Sequence, residues 1–136
     1  MYYVHGIHIR RVYDPPTPND GARLLVDRLW PRGVTWEKLQ LAGWLKGVAP
    51  SDSLRHWFNH DSAKWEEFQR RYAAELEQNP RAWQPILQAA CDGIVTLLFA
   101  ARDTRHNNAA ALRTFLEKKL AGPGVKTASV SRSGPG

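Results

Sequence analysis

Three short stretches carry the side chains able to do chemistry. Arg102-Asp103-Thr104-Arg105-His106-Asn107 follows one apolar run, Asp27-Arg28-Leu29-Trp30-Pro31-Arg32 follows another, and Lys46 closes a third segment. Together they offer carboxylates, cations and an imidazole, which is the raw material of an acid–base site or an anion seat. His106 is the candidate base, because an imidazole changes charge near neutral pH. Asp27 and Asp103 are the acidic members of the same catalytic set. Arg28, Arg32 and Arg102 present guanidinium forks suited to carboxylate or phosphate. Lys46 adds a cation, Trp30 an aromatic wall and Asn107 an amide, and these six residues form the candidate ligand-binding set. Each has a plainer use. Asp27 can pair with Arg28, Asp103 or Asn107 can cap a helix, Trp30 can pack, and His106 can be structural.

These residues converge only if particular elements position them. Ile94 to Ala101 is apolar throughout and starts after Gly93, the pattern of a strand buried on both faces. The Ala-, Leu- and Lys-rich stretch after it predicts a helix from about His106 to Ala121. A strand end that turns into a helix N-terminus is where open α/β sheets hold ligands, and exposed N–H groups there favour anions. His5 to Val12 and Arg23 to Arg28 read as two more strands, joined by the proline-rich stretch Tyr13 to Gly21. Thr35 caps a short helix to Leu39, and Leu41 to Val48 is strand or extended. Ser51 or Ser53 caps the next helix. Asp61 or Ser62 caps a longer one to about Gln78, whose Trp65, Phe68, Tyr72 and Leu76 form a core stripe. Asn79-Pro80 opens another helix, with Pro85 one turn in as a candidate bend.

The 136 residues suffice for one core, read as a single compact α/β domain over 1–121 with a flexible tail over 122–136. The tail is rich in Gly, Ser and Pro and has too little apolar surface to offset its ordering entropy. The net charge is +6, and the tail contributes two of those charges through Lys126 and Arg132. What remains fits an anionic partner and falls short of the dense basic stripe of a dedicated nucleic-acid binder. The single Cys91 excludes an internal disulfide and a cysteine-rich zinc site, and it reads as a small buried residue. His56 and His60 have metal-like spacing beside Asp61, but no third ligand accompanies them, so no metal is expected. The longest apolar run is too short for a bilayer, and the N-terminus has no signal-peptide pattern, so a cytoplasmic location is expected.

The stretch Asp20 to Gly33, with Asp27-Arg28-Leu29-Trp30-Pro31-Arg32-Gly33 as its most specific string, resembles the motif of the YeaO-like branch of the domain-of-unknown-function 488 family. The likeness continues through Trp44-Leu45-Lys46, Ala49-Pro50-Ser51, Leu54 to Phe58, Trp65 to Phe68, Val95 to Asp103 and His106-Asn107, covering about residues 7 to 120. The resemblance implies an α/β fold with a small, mostly parallel sheet flanked by helices in Rossmann-like layers, and implies no established activity. Other branches look as if they place Cys-His-Arg after the central strand, where this chain has His106-Asn107-Asn108. No Gly-rich loop follows a strand, so no cofactor is expected. Only about nine residues separate Val12 from Ala22, fewer than a parallel crossover normally needs. The resemblance nonetheless favours parallel strands, since a proline-rich loop can span far in few residues.

The expectation is therefore a small anionic ligand, phosphate- or carboxylate-bearing, in a strand-edge cleft, with His106 and the Asp and Arg groups available for acid–base work. The alternative is a nucleic-acid-binding or regulatory module using Arg10, Arg11, Arg28, Arg32 and Arg102. One concave pocket favours the first, and a flat basic face favours the second. No oligomeric state is assigned.

Overall fold

The computed structural model describes residues 6–121. The tail expected over 122–136 lies outside them. Four strands, β1 (Ile7–Arg11), β2 (Ala22–Leu25), β3 (Gly43–Trp44) and β4 (Val95–Phe99), form one sheet. Their order is β1-β4-β2-β3, and every pairing is parallel. β4 is the apolar run of the sequence and is buried along its whole length, with Leu97 held between Ile9 and Leu24. The short link between the first two strands finds its explanation here. β1 and β2 are not neighbours, and residues 12–21 cross β4.

The two faces of the sheet differ. One presents Ile7, Leu24, Val26, Val95, Leu97 and Phe99 to the main core, beneath α2 (Asp52–Phe58), α3 (Trp65–Glu77), α4 (Pro80–Asp92) and α5 (Asn108–Leu120). The other has a smaller cluster, Val12, Leu25, Leu39 and Leu98, covered by the one-turn helix α1 (Trp36–Leu39), Trp30 and Trp44. Toward the amino end this second face is polar. Buried Asp20 accepts from Arg23 at 2.5 Å and Arg10 at 3.3 Å, and its carbonyl accepts from the Thr96 hydroxyl at 2.7 Å. Helices α2 to α5 all pack on the opposite side of the sheet.

The helix caps follow the sequence. Thr35 caps α1, and Ser51 rather than Ser53 caps α2, accepting from Leu54 N–H. Ser51 also gives its N–H and hydroxyl to Glu75 at 2.9 and 2.5 Å, tying α2 to α3. Asp61 caps a 3-10 turn, Ser62–Lys64, that leads into α3. On α3, Phe68, Tyr72 and Leu76 are buried, but Trp65 is only half-buried, and on α4 Cys91 is half-buried. α4 continues past Pro85, with Pro80 in its first turn. α5 starts at Asn108, two residues later than expected. Its Phe115 is buried, edge-on against Trp83 at 5.1 Å. Lys46–Val48 is a 3-10 turn rather than strand. No helix among the described residues is long and apolar enough to cross a membrane.

Candidate functional site

The carboxyl ends of β1, β2 and β4 open onto a cleft of about 490 Å³. Its lining joins the loop after β2 to the loop before α5, with α2 as the opposite wall. Of the nine residues singled out in the sequence, Asp27, Arg28, Trp30, Arg32, His106 and Asn107 line it. Lys46 does not: its ammonium lies over the Trp44 ring, 4.2 Å from the centroid. Arg102 and Asp103 are exposed and also stand outside the lining.

Asp27 is fixed from two sides. One carboxylate oxygen accepts from Ala100 N–H at 2.9 Å, and the other from the Asn108 amide at 3.0 Å. Burial nevertheless dominates and pushes its pKa above the ordinary aspartate value, against those hydrogen bonds and the nearby Arg55 charge. Asn108 also donates to the Val26 carbonyl at 3.1 Å, so it ties the start of α5 to the end of β2. Sequence reasoning missed that role. Nothing in the local pattern signals a bond between residues 81 positions apart.

Of the two candidate caps, Asp103 and Asn107, only Asn107 takes that role. Asn107 is the helix cap, accepting from Ala110 N–H at 2.8 Å, and its amide nitrogen donates to the Asp103 carbonyl at 2.9 Å. Both ends of its side chain are therefore spent on the fold. Asp103 instead closes a turn, accepting from the N–H groups of Arg105 and His106 at 2.9 and 3.0 Å. Its other oxygen sits 2.9 Å from His106 Nδ1. The Arg105 N–H, the His106 ring and the His106 N–H lower its pKa to about 2. When Nδ1 carries the proton, Nε2 is the basic nitrogen of His106, as in other carboxylate-oriented imidazoles. The ring also stands edge-on to Trp65 at 5.2 Å, so the half-buried Trp65 bridges the core, through Phe58 and Phe68, to His106.

The basic wall contains a residue that the sequence did not single out. Arg55 comes from α2, far along the chain from Arg28, yet both reach Asp52. Arg55 Nη2 donates to Asp52 Oδ1 at 2.6 Å, and Arg28 Nε lies 3.7 Å from the same oxygen. That carboxylate is 67% exposed, so two guanidinium groups share one well-solvated counter-charge. The Nε–H of each is buried without an acceptor among the described residues. Arg28 Nη2 makes only long contacts, 3.5 and 3.4 Å, with the carbonyls of Ala49 and Pro50. His56 and His60 line the same wall, and no cluster of His, Cys, Asp or Glu able to hold a metal occurs among the described residues. Asn59 and His60 both take left-handed backbone, φ 46° and 56°, a conformation that disfavours side chains other than glycine and asparagine.

Of the cations assigned to a flat basic face, Arg10 and Arg11 are committed elsewhere. Arg10 bonds Asp20 and the Pro15 carbonyl at 3.3 and 3.1 Å. Arg11 bonds the carbonyls of Ala101 and Ala100 at 2.9 and 3.2 Å and lies over the Tyr13 ring.

A parallel α/β domain with a cleft at the carboxyl edge of its sheet is the class these features define. The chain belongs to the family described as the inactive DUF488-N3 subclade, whose model matches residues 6–133. It is 39% identical over 111 residues to the uncharacterised protein YeaO of Escherichia coli K12, covering 82% of this chain and 96% of that one. It is 36% identical over 110 residues to the uncharacterised proteins Mb3100c of Mycobacterium bovis and Rv3073c of Mycobacterium tuberculosis H37Rv. That similarity covers 81% of this chain and 92% of each relative. No solved structure matches the chain significantly. The family expected from the Asp27–Gly33 string is the family found.

Proposed function

We propose that this small cytoplasmic protein binds a phosphate- or carboxylate-bearing metabolite in the carboxyl-edge cleft, as a binding protein without turnover. One observation carries the reading. Arg28 and Arg55, from different elements, meet over the single exposed carboxylate of Asp52, and Arg32 lies on the same lining. An anion there gains charge-assisted, fork-shaped hydrogen bonds. The N-terminal turn of α5, whose Asn107 and Asn108 line the cleft, adds partial positive charge. The absence of turnover is supported by the family's description as inactive and by His106-Asn107-Asn108 standing where other branches look as if they carry a thiol.

A catalytic reading rests on the Asp103–His106 contact of 2.9 Å. It predicts that His106→Ala leaves phosphate binding measurable while abolishing any turnover found by substrate screening. The binding reading is tested by thermal unfolding in phosphate against chloride at matched ionic strength. A ligand at 100 times its Kd stabilises by about 2.7 kcal/mol. Phosphate should raise Tm saturably in the wild type and not in Arg28→Ala or Arg55→Ala. Sulfate and phosphate also act by general exclusion from protein surfaces, so an equal rise in all three proteins refutes the reading.

A further inference from the structure

We propose that the ligand of this cleft is an anion carried on a flat aromatic body, the class of aryl phosphates and aryl carboxylates. The inference rests on the anion reading above and adds the part of the ligand that the guanidinium groups do not touch.

The cleft holds far more than an ion. Its volume of about 490 Å³ lies in the range of sites that enclose whole small molecules. Beside its charged and amide groups, the lining carries an aromatic and apolar part: Tyr13, Leu29, Trp30, Pro50, Phe58 and Phe68. Phe58 and Phe68 are nearly fully buried, stacked at 4.3 Å, and belong to the main core. The lip is different. Among the described residues, the large apolar side chains left exposed are Tyr13 at 46%, Leu29 at 67% and Trp36 at 56%. Tyr13 and Leu29 line the cleft, and Trp36 stacks at 5.4 Å on Trp30, which lines it too. Exposed apolar residues scattered singly mean little; gathered at the mouth of one cleft they mark a binding surface.

Two features select a flat body over a floppy aliphatic one. The walls are rigid aromatic planes. Trp30 is pinned by its indole N–H donating to the Val34 carbonyl at 2.7 Å, and by edge packing on Trp44 at 5.3 Å. Tyr13 is pinned by its hydroxyl donating to the Arg32 carbonyl at 2.9 Å, with the Arg11 guanidinium 4.9 Å from the ring centroid. Preformed walls bind a planar partner without paying to order themselves. Charge and wall are also adjacent in the chain. Arg28, Leu29 and Trp30 are consecutive, so an anion on Arg28 has its attached group beside the apolar lip.

Calorimetric titration of the full chain with five probes tests this: inorganic phosphate, glycerol 1-phosphate, phenyl phosphate, benzoate and acetate. Phenyl phosphate should bind at least tenfold more tightly than inorganic phosphate and glycerol 1-phosphate. Benzoate exceeding acetate by a larger ratio than phenyl phosphate exceeds phosphate would assign the carboxylate source within the class; the reverse would assign the phosphate source. In Leu29→Ser and Tyr13→Ser, both surface changes, the ratio of phenyl phosphate to phosphate affinity should fall toward one. Phosphate binding with no gain from the phenyl ring overturns this inference and leaves the anion reading standing. No binding by any probe overturns both.

Discussion

Asp27 sits at the junction of the site's chemistry and its stability. Burial raises its pKa, so the folded protein holds that proton more tightly than the unfolded chain does. Between the ordinary aspartate value near 3.8 and the raised folded value, the native state binds more protons than the unfolded state. Stability contributed by this group is therefore greatest below that window and falls as pH rises through it. Asp27→Asn removes the titration. The stability difference, wild type minus variant, should decrease as pH is raised from about 3.5 and then level off, measured by urea unfolding at each pH. A flat or rising difference contradicts the assignment. His60 poses a separate residue-scale trade. Its left-handed backbone costs roughly 1–2 kcal/mol, so His60→Gly should stabilise the fold by up to about 1 kcal/mol while removing an imidazole from the cleft lining. At this scale the sequence was legible in kind. Asp27, Arg28, Arg32 and His106 were visible because they lie on the loops that follow β2 and precede α5. Asn108 was not, because its partners Val26 and Asp27 lie on a distant segment, and Arg55 was not, because only the fold brings it beside Arg28 over Asp52. The sequence left Asp103 and Asn107 open as caps because both are good ones, and only the backbone path decides which one meets the first turn of α5.

The elements themselves were read more surely, and the misses have local causes. Strong patterns, such as the apolar run of β4 and the stripe of α3, identified themselves. The first-strand connection looked too short because the sequence does not reveal that β4 inserts between β1 and β2. That insertion explains Gly21. Its φ of 64° needs a glycine, and a Cβ there would run into the Ile94 carbonyl, which accepts the Ala22 N–H at 2.9 Å. Gly21→Ala should cost about 2–5 kcal/mol, combining left-handed strain with overpacking; a loss below 1 kcal/mol in urea unfolding would mean that the β2–β4 junction yields. On α3, Phe68→Ala should cost about 3–5 kcal/mol, as for other buried aromatics. Trp65→Ala should cost less, because its ring is half-buried and faces His106. Equal losses would return Trp65 to the core role that spacing alone suggests.

At the scale of the whole molecule, one lopsided sheet explains why the cleft exists. Helices α2 to α5 cover one face, and a thin aromatic cover of Trp30, Trp36 and Trp44 lies over the carboxyl half of the other. Between these layers, at the carboxyl edge, the loop after β2 meets α2 and the start of α5. There Arg28 and Arg55 share Asp52 and retain unmet Nε–H donors. Whether those two guanidinium groups receive an anion is best read on the groups themselves. In 15N-edited spectra, titration with inorganic phosphate should shift the Arg28 and Arg55 Nε–H resonances saturably, with one shared Kd. Arg70 and Arg71, both paired with Glu67 on the outer face of α3, should stay in place. Shifts spread evenly over all four arginines, or no saturable shift at Arg28 and Arg55, would contradict the account.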